Sequence, residues 1–169
     1  MKVTVVFDIG RTNKKYVLFD EQFRVVEEVR EVLPETTDED GFPCDDLPLL
    51  TSWVKGYWER LKQRKDIEIS AVNVAGYGAS LVHLNGKNEP VTPLYSYLKP
   101  FPLSLSTQFY STYGDPMTIA LQTGSPLLGM LNSGMQLYWI KHERPELYKQ
   151  IHTTLHFPQY ILHILTGRK

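Results

Sequence analysis

Val3-Thr4-Val5-Val6-Phe7-Asp8-Ile9-Gly10-Arg11-Thr12-Asn13-Lys14-Lys15-Tyr16-Val17-Leu18-Phe19-Asp20 sets the architecture expected at the amino end of the chain. Residues 3–7 form a β-branched run that suits a buried strand. Residues 8–13 read as a tight turn around Gly10. Strand character resumes at Tyr16, Val17, Leu18 and Phe19. Asp20, Glu21 and Gln22 make a second turn, and residues 23–32 then read as a third strand with charged residues on its outer face. Three strands joined by short turns predict an antiparallel meander.

Downstream, residues 34–48 hold six acidic residues (Glu35, Asp38, Glu39, Asp40, Asp45, Asp46) and no basic one. They read as a solvated loop entering a helix, with a cation site as the lesser alternative. Residues 49–64 carry Leu50, Val54, Tyr57, Trp58 and Leu61 at helical spacing, with Trp53 and Trp58 assigned to the core. A further strand over 67–75 ends in Gly76-Tyr77-Gly78-Ala79-Ser80. Residues 81–84 continue as a strand, Asn85-Gly86 signals a hairpin, and 91–97 are expected to return from it. Helices are expected over 104–113 and 116–122. A third follows Asn132 or Ser133, another opens at Pro145, and the last runs from Pro158 to a stop at Gly167.

The chain has 169 residues, enough for a real core, and a net charge of −1 from 18 basic and 19 acidic groups. That balance excludes a basic field for nucleic acid or an anionic membrane. Aromatic content of 12% excludes low-complexity disorder. One cysteine, Cys44, makes no internal disulfide and points to a reducing compartment. The first apolar run stops at Asp8, short of a secretory signal, and no segment is apolar for long enough to cross a bilayer. The expectation is a cytoplasmic α/β domain.

Walker A and zinc spacings are absent, and Gly76-Tyr77-Gly78 lacks the third glycine of a dinucleotide fingerprint. His83 and His163 read as structural, and His152 and His156, four apart around a strand-like Thr153-Thr154-Leu155, share a strand face, with a metal site as the minor alternative. Asp8 differs, because a carboxylate at the end of a buried strand needs a cation or several donors. Gly10 lets backbone approach a ligand, and Arg11, Thr12, Asn13 and Lys15 offer donors of four kinds. Two readings stay open: a turn gripping phosphate while Asp8 holds Mg2+, or a plain hairpin with a capping Asp and solvated basic residues.

The spacing Asp8-Ile9-Gly10-Arg11-Thr12-Asn13-Lys14-Lys15 with Val17-Leu18-Phe19-Asp20 resembles the first phosphate motif of the FGGY carbohydrate kinases, of the actin, heat-shock ATPase and hexokinase superfamily. Three later stretches are similar to family motifs in the same order. Residues 71–85 resemble the sugar-site strand and its hairpin. Thr123-Gly124-Ser125-Pro126 with Leu137-Tyr138-Trp139-Ile140-Lys141 and Arg144-Pro145-Glu146 resembles the Thr-Gly turn and a helix ending in a Pro-Glu break. Phe157-Pro158-Gln159-Tyr160-Ile161 with Leu165-Thr166-Gly167 resembles the Asp-Tyr-Leu…Leu-Thr-Gly signature. Tyr77-Gly78 resembles rhamnulose and fuculose kinases more than xylulose or glycerol kinases. Arg11 stands where the family has a small residue, Ser80 where rhamnulose kinases carry Asp, and Leu98-Lys99-Pro100 where an Asp-Ser-Arg-like stretch is usual.

The resemblance implies a ribonuclease-H-like (actin-like ATPase) α/β domain, its mixed sheet beginning with the meander and helices packed around it. It implies ATP and Mg2+ as cofactors and a small ketose or polyol as substrate, with no nucleic acid or membrane partner and a possible homodimer. Asp8 would serve the metal. Gly10, Arg11, Thr12, Asn13 and Lys15 would bind phosphate. Tyr77, Gly78, Ala79, Ser80 and Tyr95 would meet the sugar, with Met130 and Leu131 where a substrate-side loop enters a helix. Residues 1–169 would be an incomplete amino-terminal, sugar-binding domain. The catalytic Asp would lie beyond Lys169 and the nucleotide domain would be absent, so the chain alone would be inactive and its carboxyl edge would expose apolar surface. Closure of a complete sheet by residues 166–169 would contradict that. Two other classes remain: a ribonuclease-H-like metal-dependent nuclease, which needs further carboxylates at neighbouring strand ends, and a noncatalytic sugar-binding or scaffold domain.

Overall fold

The computed structural model describes residues 1–168. In chain order the elements are β1 (Lys2–Ile9), β2 (Lys14–Phe19), β3 (Val25–Glu31), β4 (Glu35–Thr37), β5 (Pro43–Asp45), α1 (Leu47–Gln63), β6 (Glu68–Gly76) and β7 (Leu81–Leu84). There follow α2 (Leu103–Tyr113), α3 (Pro116–Thr123), a 3-10 turn (Gly129–Leu131), α4 (Ser133–Glu143), α5 (Pro145–Tyr148), β8 (Thr153–His156) and α6 (Phe157–Thr166). The chain divides into two compact units, Met1–Gly78 with Leu155–Lys169, and Ala79–Thr154.

The first unit is built on a mixed sheet of order β3-β2-β1-β6, antiparallel through the meander and parallel between β1 and β6. Period-two alternation along β1 buries Val3, Val5, Phe7 and Ile9 and leaves Thr4, Val6 and Asp8 half-buried. The buried face receives α1, where Trp53 meets Phe7 edge-on at 6.1 Å and Tyr57 meets Tyr16 at 5.0 Å. Asp46 starts α1 by accepting from the Leu49 N–H at 2.9 Å, with proline in the first turn. α6 is joined to α1 through Thr51 Oγ1 and Tyr160 Oη at 3.0 Å, and its capping box pairs His156 with Gln159.

Three expectations change here. Residues 34–48 are not a plain solvated loop. They contain the β4–β5 hairpin, in which Asp38 and Asp45 are buried. Asp38 accepts from the Asp40 and Phe42 N–H groups, so the acid is consumed by the turn. The charges of β3 are not all turned to solvent either. Glu31 accepts from Trp53 Nε1 at 3.0 Å and from the Tyr57 hydroxyl, and Glu27 accepts from the Tyr16 hydroxyl and Arg64, each at 2.6 Å. Burial raises the Glu27 pKa, but the bonds from Tyr16 and Arg64 outweigh it and hold the carboxyl below its ordinary value. Trp53 is buried as expected, whereas Trp58 is half-buried.

In the second unit, the core gathers Tyr95, Leu105, Met130, Trp139 and Ile140. Tyr95 meets Trp139 edge-on at 4.8 Å. The return strand expected over 91–97 does not form. Pro90 makes one isolated bridge to Leu84, Val91 N–H donates to the His83 carbonyl, and Pro93 lacks a donor to extend the ladder. β7 pairs with β8 instead. Thr166 closes α6 with Gly167 as its left-handed cap, and Lys169 lies outside the described residues.

All four residues of β7 are buried. Within it His83 Nδ1 meets Thr154 Oγ1 at 2.9 Å, and burial lowers the ring's pKa from 6.5 to about 4. The unfolded chain therefore binds the extra proton first. Stability is complete above about pH 6.5 and is lost as pH falls towards 4, by about 3 kcal/mol from this group. Urea unfolding at pH 7 and pH 4.5 measures the loss, and His83→Gln removes this group's share.

Candidate functional site

The turn between β1 and β2 is residues 10–13, closed by Gly10 N–H donating to the Asn13 carbonyl at 3.0 Å. A Cβ on Gly10 would meet that carbonyl oxygen at 3.3 Å, so a side chain there would require the carbonyl to give by a few tenths of an ångström. The Gly10 amide is thus spent inside the turn. Asp8 and Lys15 are cross-strand neighbours, and Lys15 Nζ stands 2.9 Å from Asp8 Oδ2. The Asp8 side chain remains 38% exposed. Arg11 pairs with Glu35 at 3.6 Å, both partners well exposed, while Thr12 is exposed and Asn13 half-buried.

Alternation along β2 sends the next lysine to the other face. Lys14 is buried at 1% exposure, with Nζ 2.6 Å from Asp45 Oδ1 and 2.6 Å from the Arg11 carbonyl. Tyr77 donates its hydroxyl to Asp45 Oδ2, and its ring stacks on Phe157 at 4.7 Å. Gly76, just before it, packs against β1 so closely that a Cβ would lie 3.2 Å from the Ile9 carbonyl oxygen. The Gly78 carbonyl accepts from His156 Nδ1 at 2.5 Å. In the first unit, then, the structure brings Asp45 to both the phosphate-type turn and Tyr77.

The other sugar-side residues belong to the second unit. The Ala79 carbonyl accepts from Gln136 Nε2 at 2.6 Å and from the Ser133 hydroxyl at 3.1 Å. Ser80 is buried and donates its hydroxyl to the Tyr95 carbonyl at 2.8 Å. Tyr95 is fully buried, its ring in the core against Trp139. Met130 is buried and its carbonyl accepts from Gln136 at 2.6 Å, while Leu131 is 39% exposed. A cavity of about 450 Å³ in this unit is lined by Phe109, Tyr110, Thr123, Ser125, Tyr138 and Lys141 among others, which takes in residues of the Thr-Gly turn motif but none of the phosphate, metal or sugar residues expected from the sequence. Its lining has no carboxylate; its ionisable side chains are tyrosine hydroxyls and the Lys141 ammonium.

The sequence model of the N-terminal domain of the FGGY family of carbohydrate kinases matches residues 3–169. The chain belongs to that family. A rhamnulokinase from Halalkalibacterium halodurans is 22% identical over 170 residues, covering all of this chain and 36% of that protein. Among solved structures, a carbohydrate kinase from Novosphingobium aromaticivorans is 27% identical with a TM-score of 0.80, covering 98% of this chain and 33% of that one. A xylulose kinase from Rhodospirillum rubrum has a TM-score of 0.81 at 18% identity, covering 99% and 34%. The chain therefore spans about a third of the length of the relatives it matches. It is an FGGY carbohydrate kinase N-terminal domain, with the actin-like ATPase fold and the mixed sheet, beginning with a meander, that the resemblance implied. No helix among the described residues is long and apolar enough to cross a membrane.

Three residues of this FGGY domain escaped the sequence reading: Lys14, Asp45 and Gln136. Only Lys14 carried a signal, since strand periodicity places it with Tyr16 and Leu18 on the buried face. A buried ion pair stripped of one member leaves an uncompensated charge. Asp45→Ala should therefore destabilise the chain by about 3–5 kcal/mol. The double replacement Lys14→Met with Asp45→Leu should recover most of that in chemical denaturation.

Proposed function

We propose that this chain is the amino-terminal, sugar-side portion of an ATP-dependent kinase that moves the γ-phosphoryl of ATP to a hydroxyl of a small ketose or polyol. The observation that carries the reading is Asp8 at the end of β1, half-exposed beside the glycine turn, in a chain matched by the family model over residues 3–169. Asp8 suits Mg2+. The described residues hold no group of three or more His, Cys, Asp or Glu side chains able to enclose a metal, and Mg2+ is usually held by one or two carboxylates, substrate phosphates and water. When bound, the ion neutralises charge on the transferred phosphoryl. Lys15 and the side chains of Arg11, Thr12 and Asn13 supply donors for phosphate oxygens, and Gly10 keeps the turn tight. Tyr77, Gly78 and Ala79 face the sugar in this reading. Ser80 and Tyr95 are both buried within the second unit, where the Ser80 hydroxyl donates to the Tyr95 carbonyl.

The rhamnulokinase relative and the Tyr77-Gly78 pair favour a ketose as the acceptor. The nuclease alternative gains no support, because β6 presents Ala75 and Gly76 opposite Asp8 and Ile9 where a second carboxylate would be required. Phosphoryl transfer works by positioning and electrostatic stabilisation in a closed site, which this reading assigns to two domains, with the base Asp and the adenosine site in sequence after Lys169. A coupled ADP-release assay with Mg-ATP and a ketose panel tests it. The 169-residue chain should show no significant turnover. The two-domain kinase should phosphorylate a ketose, and Asp8→Asn there should lower kcat by roughly a hundredfold or more. Turnover by the chain alone, or an unaffected Asp8→Asn kinase, contradicts the proposal.

A further inference from the structure

We infer that Asp45 is a positioning residue that couples the phosphate-type turn to the sugar-side turn, a role that rests on the kinase reading above. The geometry is a continuous path of polar contacts within one compact unit. It runs from the Arg11 carbonyl to Lys14 Nζ at 2.6 Å, from Lys14 Nζ to Asp45 Oδ1 at 2.6 Å, and from Asp45 Oδ2 to the Tyr77 hydroxyl. Both carboxylate oxygens are used, one for each side. The ion pair is buried, with side-chain exposures of 1% for Lys14 and 9% for Asp45, so solvent does not screen it. The Tyr77 end has further anchors of its own. The Tyr77 ring is stacked on Phe157, and the Gly78 carbonyl is held by His156.

A shift of Tyr77 on sugar binding would move its acceptor oxygen or break a charge-assisted bond. Asp45 would carry that displacement to Lys14, and Lys14 to the carbonyl at the tip of the turn. A substrate bound at Tyr77 and Gly78 would thereby order the turn that receives phosphate, and the linkage is reciprocal. Lys14 and Lys15 so divide the work by strand alternation: Lys15 faces Asp8 and incoming phosphate, and Lys14 ties the turn to the interior.

Amide hydrogen exchange on the 169-residue chain and its Tyr77→Phe variant tests the coupling. The variant keeps the ring on Phe157 and loses only the hydroxyl. Coupling requires exchange at residues 11–13 to accelerate about tenfold while α1 is unchanged, as the loss of one charge-assisted hydrogen bond implies. Unchanged rates at residues 11–13, or equal acceleration throughout α1, overturn it. L-rhamnulose added to the wild type separates this from the sugar reading. Protection at residues 77–78 together with 11–13 supports both. Protection at 77–78 alone overturns the coupling. Protection nowhere overturns L-rhamnulose as the ligand of residues 77–78, and the variant's exchange rates still decide the coupling.

Discussion

Lys14 is an ammonium group with 1% exposure, and the architecture around it follows from the need to compensate that charge. An isolated buried cation costs several kcal/mol, so the chain must bring an anion to it. It does so with Asp45, at the end of a two-stranded hairpin that precedes α1. The next residue, Asp46, caps that helix. One short segment therefore neutralises Lys14, starts α1 and presents a carboxylate oxygen to Tyr77.

That economy explains the shape of the phosphate-type turn. Its outer bonds are local: Gly10 to Asn13 within the turn, and Lys15 to Asp8 across it. Such contacts close a hairpin but give it little rigidity against a ligand. The bond from Lys14 to the Arg11 carbonyl is also local in sequence, yet it anchors the turn to a buried carboxylate. In the kinase reading, rigidity matters because phosphoryl transfer depends on positioning more than on covalent chemistry by the protein.

Much of the fold was legible because its signals are periodic. The β-branched run of β1, the spacing of Leu50, Val54 and Leu61 in α1, and the glycine after α6 all report local physics. The acidic stretch was misread because composition does not reveal which carboxylates find interior partners. Asp38 closes a turn and Asp45 meets a lysine from another strand, and both are long-range or geometric facts. The return strand at 91–97 was misread because an Asn-Gly turn predicts a hairpin without saying whether the prolines beyond it can sustain a ladder. Of the candidate site, Asp8 and the glycine turn stood out as a carboxylate at a strand end. Gln136 gave no signal, since a polar residue in a helix is ordinarily exposed, and only the structure shows it holding the Ala79 and Met130 carbonyls.

The family match places this chain among the N-terminal domains of FGGY carbohydrate kinases, and its buried ion pair anchors its first turn. The most direct test of that claim is heteronuclear NMR of the lysine ammonium groups at neutral pH, with Lys14 assigned through Lys14→Arg. The account predicts one ammonium group, that of Lys14, whose protons exchange slowly with water and whose signal is lost or strongly shifted in Asp45→Asn. A Lys14 ammonium that exchanges as fast as the exposed lysines, or is indifferent to Asp45→Asn, would contradict it.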